Sequence, residues 1–217
     1  MGDTIKKLQQ PKINVSLDYK ILTDVFDDED DILEQAAINH SNFVDQTLDR
    51  LLIYGSRITN CNFTNSDIGR VDFTDVIFEN CDFSNVKMEH GSLHRVIFKN
   101  CRMTGTYLKQ MRLGHTSFCE VKANFVSFID SKMDKLLFDT CQLEHGAFYE
   151  STLKQITFDE TNMNHVTIHQ TPLKGCDLST SQFETIVVNK EDLVGCKVSK
   201  EQAIQFATLM GLDVVDA

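Results

Sequence analysis

Apolar residues recur at every fifth position along most of this chain. Counted by fives from Phe43 to Val198, all 32 positions are apolar, and twelve of the fifteen phenylalanines lie on the count. With 41% hydrophobic residues overall, one frame does this by chance with a probability on the order of 10⁻¹². A second position, two residues before each of these, is Ser, Thr, Cys, Val, Ile or Gly in 27 of the 32 cases, the exceptions being Gln46, Leu51, Met111, Leu136 and Glu191. Residues two apart in an extended chain point to the same side. Each five-residue unit therefore turns one large and one small residue inward, and the other three outward.

A period of five matches neither a helix nor a flat strand, so the chain turns a corner at every unit and winds as a solenoid. The columns give the number of sides. Cys61, Cys81, Cys101 and Cys141 share one phase of a twenty-residue period, Phe78, Phe98, Phe118, Phe138 and Phe158 share another, and Asn60, Asn80 and Asn100 a third. Twenty residues are four units, so like residues stack on a four-sided coil, about 4.8 Å apart. The expected fold is an all-β solenoid of about eight coils, a rod about 38 Å long. One unit is irregular: Ala123 stands where a large inward residue belongs. Either Phe125 fills that gap or it is an exposed aromatic beside a small void.

The solenoid is expected over residues 35–198, between two ends of different character. In residues 1–34, Ile13, Val15, Leu17, Tyr19 and Ile21 alternate with polar residues and predict one half-buried strand covering the first coil. The acidic run from Asp24 to Glu34 follows, read as a solvated loop or as a partner-binding or cation-attracting segment. In residues 199–217, Ser199 and Gln202 form a capping box that opens a helix over Ala203 to Met210, and Gly211 stops it. Leu212, Val214 and Val215 then add more apolar surface than a plug requires.

The seven cysteines are an odd number in a chain with no export signal or membrane-length apolar run, which predicts reduced thiols and a cytoplasmic location. Six of them (Cys61, Cys81, Cys101, Cys141, Cys176 and Cys196) hold the small inward position, where a thiol packs as a small hydrophobe, and Cys119 points outward. Zinc or redox chemistry is disfavoured because there is no C-x₂₋₄-C pair. His145 and His165 share an outward column, but spacing supplies no further metal ligand. Neither H-E-x-x-H, G-x-S-x-G nor a phosphate-binding glycine loop occurs, so neither an enzyme activity nor a cofactor is expected. A net charge of −11 argues against direct binding of nucleic acid and permits a basic partner.

Units such as CNFTN, SDIGR, VDFTD, CDFSN and CDLST resemble the pentapeptide-repeat family over about three quarters of the chain. That resemblance implies a right-handed quadrilateral β-helix. The segment LVGCKVSKEQAIQFATLMGLDVV resembles the C-terminal module of Qnr-type quinolone-resistance proteins, where a helix after the last coil makes the homodimer. It implies a dimer interface here at Ile204, Phe206, Ala207, Met210, Leu212, Val214 and Val215. Qnr-type members bind DNA gyrase or topoisomerase IV with a rod that imitates DNA. Many carry loops between coils, and this frame never slips, so it has none.

The charge tempers the mimicry. Residues 41–198 hold 20 acids against 16 bases. The phenylalanine-column side and the side after it are the acidic ones, and their outward Glu79, Asp82, Glu120, Asp139, Glu144, Asp159, Glu160 and Asp177 are the expected partner-binding residues. Outward Ile77, Ile97 and Leu137 are either an apolar contact patch or residues chosen for β-propensity. A structural or regulatory module with an unrelated protein partner is the alternative.

Overall fold

A computed structural model describes residues 8–27 and 32–215. From Ile32 onward every strand pair is parallel and joins each residue to the one twenty positions later, as in Phe78↔Phe98, Phe98↔Phe118, Phe118↔Phe138 and Phe138↔Phe158. The chain is a right-handed quadrilateral β-solenoid of about eight coils with a C-terminal helix. The phenylalanine side is taken as the first. The second side, centred on Phe63 and Phe83, pairs only through single bridges such as Asn62↔Asp82 and Asp82↔Arg102. The third carries short strands such as Lys87–Glu89 and Tyr107–Lys109. The fourth runs on into the first as longer strands, among them Ser92–Lys99, Arg112–Cys119, Lys132–Asp139 and Thr152–Asp159.

The corner explains the asparagine column. Asn60, Asn80 and Asn100 have φ of 53°, 56° and 50°, in the left-handed region that Asn tolerates better than most residues. Their amides also chain together, Asn80 Nδ2 donating to Asn60 Oδ1 at 3.2 Å and Asn100 Nδ2 to Asn80 Oδ1 at 2.7 Å. The small inward position has its own logic. Thr106 Oγ1 donates to the Phe83 carbonyl at 2.8 Å, Thr161 Oγ1 to Phe138 at 3.1 Å, and Cys101 Sγ to Phe78 at 3.5 Å. A short donor there satisfies its own polarity against the coil before it, where a longer side chain would collide with the core.

The core is the phenylalanine stack. Phe78, Phe98, Phe118, Phe138 and Phe158 lie with successive centroids 5.1, 5.2, 4.7 and 5.0 Å apart, and Phe83 meets Phe98 edge-on at 5.6 Å. These five rings and the thiols of Cys61, Cys81, Cys101 and Cys141 are buried. Phe125 does not fill the place beside Ala123: it sits at a corner with φ 60°, is 57% exposed and stacks on His145.

Both ends differ in part from expectation. The winding starts at Ile32–Glu34, which pairs with Leu52–Tyr54, so Leu33 and Ile38 extend the frame backward. The predicted strand over residues 13–21 shrinks to Asp18–Lys20, and Val15, Tyr19 and Ile21 are exposed. Alternation alone misled here, because a cap needs two or three apolar anchors rather than a whole face. The 3₁₀ helix Leu22–Asp27 supplies them by burying Leu22 and Val25 and stacking Phe26 on Phe43 at 5.6 Å. That helix takes the first part of the acidic run, and residues 28–31 lie outside the described residues.

At the other end the helix α1, Lys200–Leu209, has the predicted capping box: Ser199 Oγ accepts from the Gln202 N–H and Gln202 Oε1 from the Ser199 N–H. Gly211, with φ 83°, donates to Thr208 and Leu212 donates to Ala207, which closes the helix as a Schellman motif. Gln202 Nε2 also bonds the Leu178 and Ser181 carbonyls, seating the helix on the last coil.

Candidate partner-binding surfaces

The eight acidic residues do not form one uniform surface. Strand register puts a base twenty residues after three of them: Lys99 Nζ is 2.8 Å from Glu79, Arg102 Nε 3.6 Å from Asp82, and Lys197 Nζ 3.9 Å from Asp177. The Lys99 ammonium holds the Glu79 carboxyl below its usual range. Among the described residues the other five have no ion pair. Asp139 and Asp159 stand directly opposite each other on adjacent strands. Glu120 and Glu160 belong to the corner column beside them, and Glu144 lies on the second side. The Thr140 and Thr180 hydroxyls donate to Asp139 and Asp159 at 3.0 and 2.8 Å, which solvates both carboxylates without neutralising them. Like charges placed opposite each other destabilise a sheet. An unpaired acidic corner is therefore kept at a cost to the fold.

Ile77, Ile97 and Leu137 point outward but do not form an open patch. Leu137 is 3% exposed, the outward Ser117 of the same column is also buried, and Ile77 and Ile97 are half-buried. The chain's own N-terminal segment passes here. The Gln9 N–H donates to His115 Nδ1 at 3.1 Å, the Lys12 N–H to Asp75 Oδ1 at 2.8 Å, and Leu8 lines a cleft with Lys135, Gln155, Thr157 and Asp177. No repeat runs through residues 8–12, and their contacts lie 63 and 106 positions away, so periodicity gives no hint of them.

At the C-terminal end, Ile204, Met210, Leu212, Val214 and Val215 are exposed, together with Leu209, Val187 and Val194, which the sequence reading missed. Ala207 is half-buried. Phe206 departs from expectation: it is buried inside its own chain, its ring 5.4 Å from that of Phe183, and is unavailable to a partner.

His145 and His165 gain a third neighbour in Glu144, the three having possible ligand atoms within 4.8 Å of one another. Their rings are nearly parallel, 12° apart with centroids at 4.7 Å. A metal–imidazole bond lies in the ring plane, so in this pose one ion does not fit both rings, and Phe125, His145 and His165 stand as an exposed aromatic ladder.

The cysteines follow the frame with two partial exceptions. Burial pushes the Cys141 thiol up to about 12 and Cys176 to about 11. Cys119 is half-buried rather than fully outward, with its thiol also raised by burial, and Cys196 on the last coil is half-buried too.

Known proteins supply the context. Sequence models of the pentapeptide repeat match residues 47–87 and 91–168, more than half of the chain. Among curated proteins no sequence matches. Solved structures similar to this chain include full-length QnrB1, a plasmid-mediated fluoroquinolone resistance protein, with 15% identity, TM-score 0.48, and 83% of this chain and 100% of that one covered. A trypsin-treated form of QnrB1 gives 17%, 0.49, 85% and 90%. HetL, a pentapeptide repeat protein involved in heterocyst differentiation regulation from the cyanobacterium Nostoc sp. strain PCC 7120, gives 16%, 0.45, 77% and 83%. At these values the likeness carries no argument about partner or activity. The matched repeats, the five-residue frame and the four-sided coil agree, and the chain belongs to the pentapeptide-repeat family.

Proposed function

We propose that this protein is a DNA-mimicking rod that binds the basic DNA-binding surface of DNA gyrase or topoisomerase IV and shields the enzyme from quinolones or toxins. The observation that carries the reading is the acidic corner of Glu120, Asp139, Asp159 and Glu160, none of them in an ion pair among the described residues, where two carboxylates face each other on neighbouring strands. A cationic partner relieves that repulsion, and regularly spaced charge along a rod suits a surface built to hold phosphates. The reading includes a homodimer through the C-terminal end, where α1 and the tail leave Ile204, Leu209, Met210, Leu212 and Val215 uncovered. Two-fold closure is the commonest way to cover such a face. It also places the protein in the cytoplasm, with its target.

A second reading, an interaction module for an unrelated protein, is favoured by the three carboxylates already paired with bases. Binding of the purified protein to gyrase separates the two. A complex that weakens steeply with salt and is displaced by duplex DNA supports mimicry. A complex indifferent to salt and DNA, or none at all, leaves the second reading.

A further inference from the structure

Residues 8–12 cross the coils rather than joining them. Gln9 meets His115 and Lys12 meets Asp75, corner residues two coils apart. Two coils rise about 9.6 Å, close to the reach of three fully extended residues, roughly 10 Å. The segment therefore runs straight along the corner between the fourth and first sides. It follows the corner column of Asp75, His115 and Lys135, and the outward row next to that column is apolar and shielded, with Ser117 and Leu137 buried and Ile77 and Ile97 half-buried. Half-buried Leu8, Pro11 and Ile13 alternate with exposed Gln9, Gln10, Lys12 and Asn14. Among the described residues it is held by two backbone donors to side chains, with no strand ladder. An apolar row covered by so few bonds belongs to the low-stability end of a structure.

We propose that residues 8–12 are a releasable strap, and that the groove beneath them is a docking surface for an extended peptide whose resident occupant is the strap itself. The groove offers what such a peptide needs: an apolar strip for its side chains, and acceptors at His115 Nδ1 and Asp75 Oδ1 for its backbone N–H groups. Arg95 fixes the second acceptor by gripping both Asp75 oxygens, at 2.6 and 2.7 Å. The first acceptor depends on His115 being neutral. Burial, then Lys135 and His94, hold the His115 ring below its usual range, with Asp134 opposing and Arg95 adding to the effect. A proton on Nδ1 turns the acceptor into a donor facing the Gln9 N–H. Closure is therefore fully favoured above the ordinary histidine range and weakens as pH falls below about 6.5, where the open form takes up the proton more readily. The strap borders the other corner of the first side, away from Glu120 and Glu160, so this inference does not depend on the partner of Glu120 and Asp139.

Hydrogen exchange on the full chain tests release. The Gln9 and Lys12 amides are expected to exchange about 10³-fold faster than the Phe118 amide. His115→Ala and Asp75→Asn each raise exchange at Gln9 and Lys12 by about tenfold, the worth of one hydrogen bond, and leave Phe118 unchanged; His169→Ala alters neither. After correction for intrinsic rates, the Gln9 advantage grows as pH falls from about 7 to 5.5. Docking is tested with a synthetic peptide of residues 8–14, added to the unmodified chain and to the Leu8→Ala/Ile13→Ala variant, which loosens the strap and spares the groove. It should bind the variant at least about tenfold more tightly. Exchange of Gln9 and Lys12 at the Phe118 rate shows a fixed part of the fold and overturns the proposal. Equal or absent peptide binding by the two proteins overturns the docking surface.

Discussion

Replacing Phe98 with Ala removes an interior ring of the phenylalanine column. The ring is fully buried, lies nearly parallel to Phe78 at 5.1 Å and to Phe118 at 5.2 Å, and is met edge-on by Phe83 at 5.6 Å. Phe→Ala in a core costs about 3 to 5 kcal/mol. The upper half of that range applies, because Phe98 is hydrogen-bonded through its strand to the coils on both sides. The backbone cannot move in to close the cavity without breaking register, and each lost ring pair contributes about 0.5 to 1.5 kcal/mol beyond its area. Phe125→Ala is the internal control: the residue is 57% exposed, and its backbone keeps φ 60° whether Phe or Ala stands there, so the change stays within about 1 kcal/mol. The chain has no Trp, so urea unfolding is followed by far-UV circular dichroism. Coils of a solenoid open with some independence, and residue-level hydrogen exchange should accompany the optical curve. A Phe98→Ala cost under about 1 kcal/mol, or equal costs for Phe98 and Phe125, refutes the stacked core as the source of stability.

Alkylation without denaturant should modify Cys119 and Cys196 slowly and leave Cys61, Cys81, Cys101, Cys141 and Cys176 intact, as mass spectrometry of the labelled chain will show; labelling of all seven at one rate means the inward assignment is wrong. Asp139→Asn and Asp159→Asn each raise stability by a few tenths to about 1 kcal/mol, because one member of an opposed carboxylate pair is neutralised; a loss of similar size would mean that the acids are structural. Glu at both Ile204 and Met210 should turn a dimer into a monomer with unchanged coils by light scattering and circular dichroism, and a monomeric unmodified chain at micromolar concentration removes the dimer from the account.

The coils were legible because a solenoid repeats one local problem. Most units have a large inward residue, a small one that is apolar or donates to a neighbouring carbonyl, and a corner residue content with positive φ. Phe98, Thr106 and Asn80 each satisfy one of these demands, so the sequence carries the same message 32 times. The helix end was readable for a related reason, since Ser199, Gln202 and Gly211 act through local hydrogen bonds. What was hidden depends on single contacts between distant segments. Nothing near Gln9 in the chain points to His115, and nothing near Phe206 says that its ring is used up on Phe183. Leu137 and Ser117 read as outward by phase, which is correct, yet phase does not reveal the segment lying over them. The neutralised acids were partly readable, because the twenty-residue register pairs Glu79 with Lys99 and Asp82 with Arg102 once the columns are aligned.

Supercoiling by purified DNA gyrase, with and without ciprofloxacin and titrated with this protein, tests the central proposal most directly. The unpaired acidic corner predicts that the unmodified chain changes supercoiling or restores it in the presence of the drug. It further predicts that Asp139→Asn/Asp159→Asn, folded and at least as stable, loses about tenfold in potency. No effect of the unmodified chain on either activity at large excess over the enzyme, or equal potency in the double variant, contradicts it.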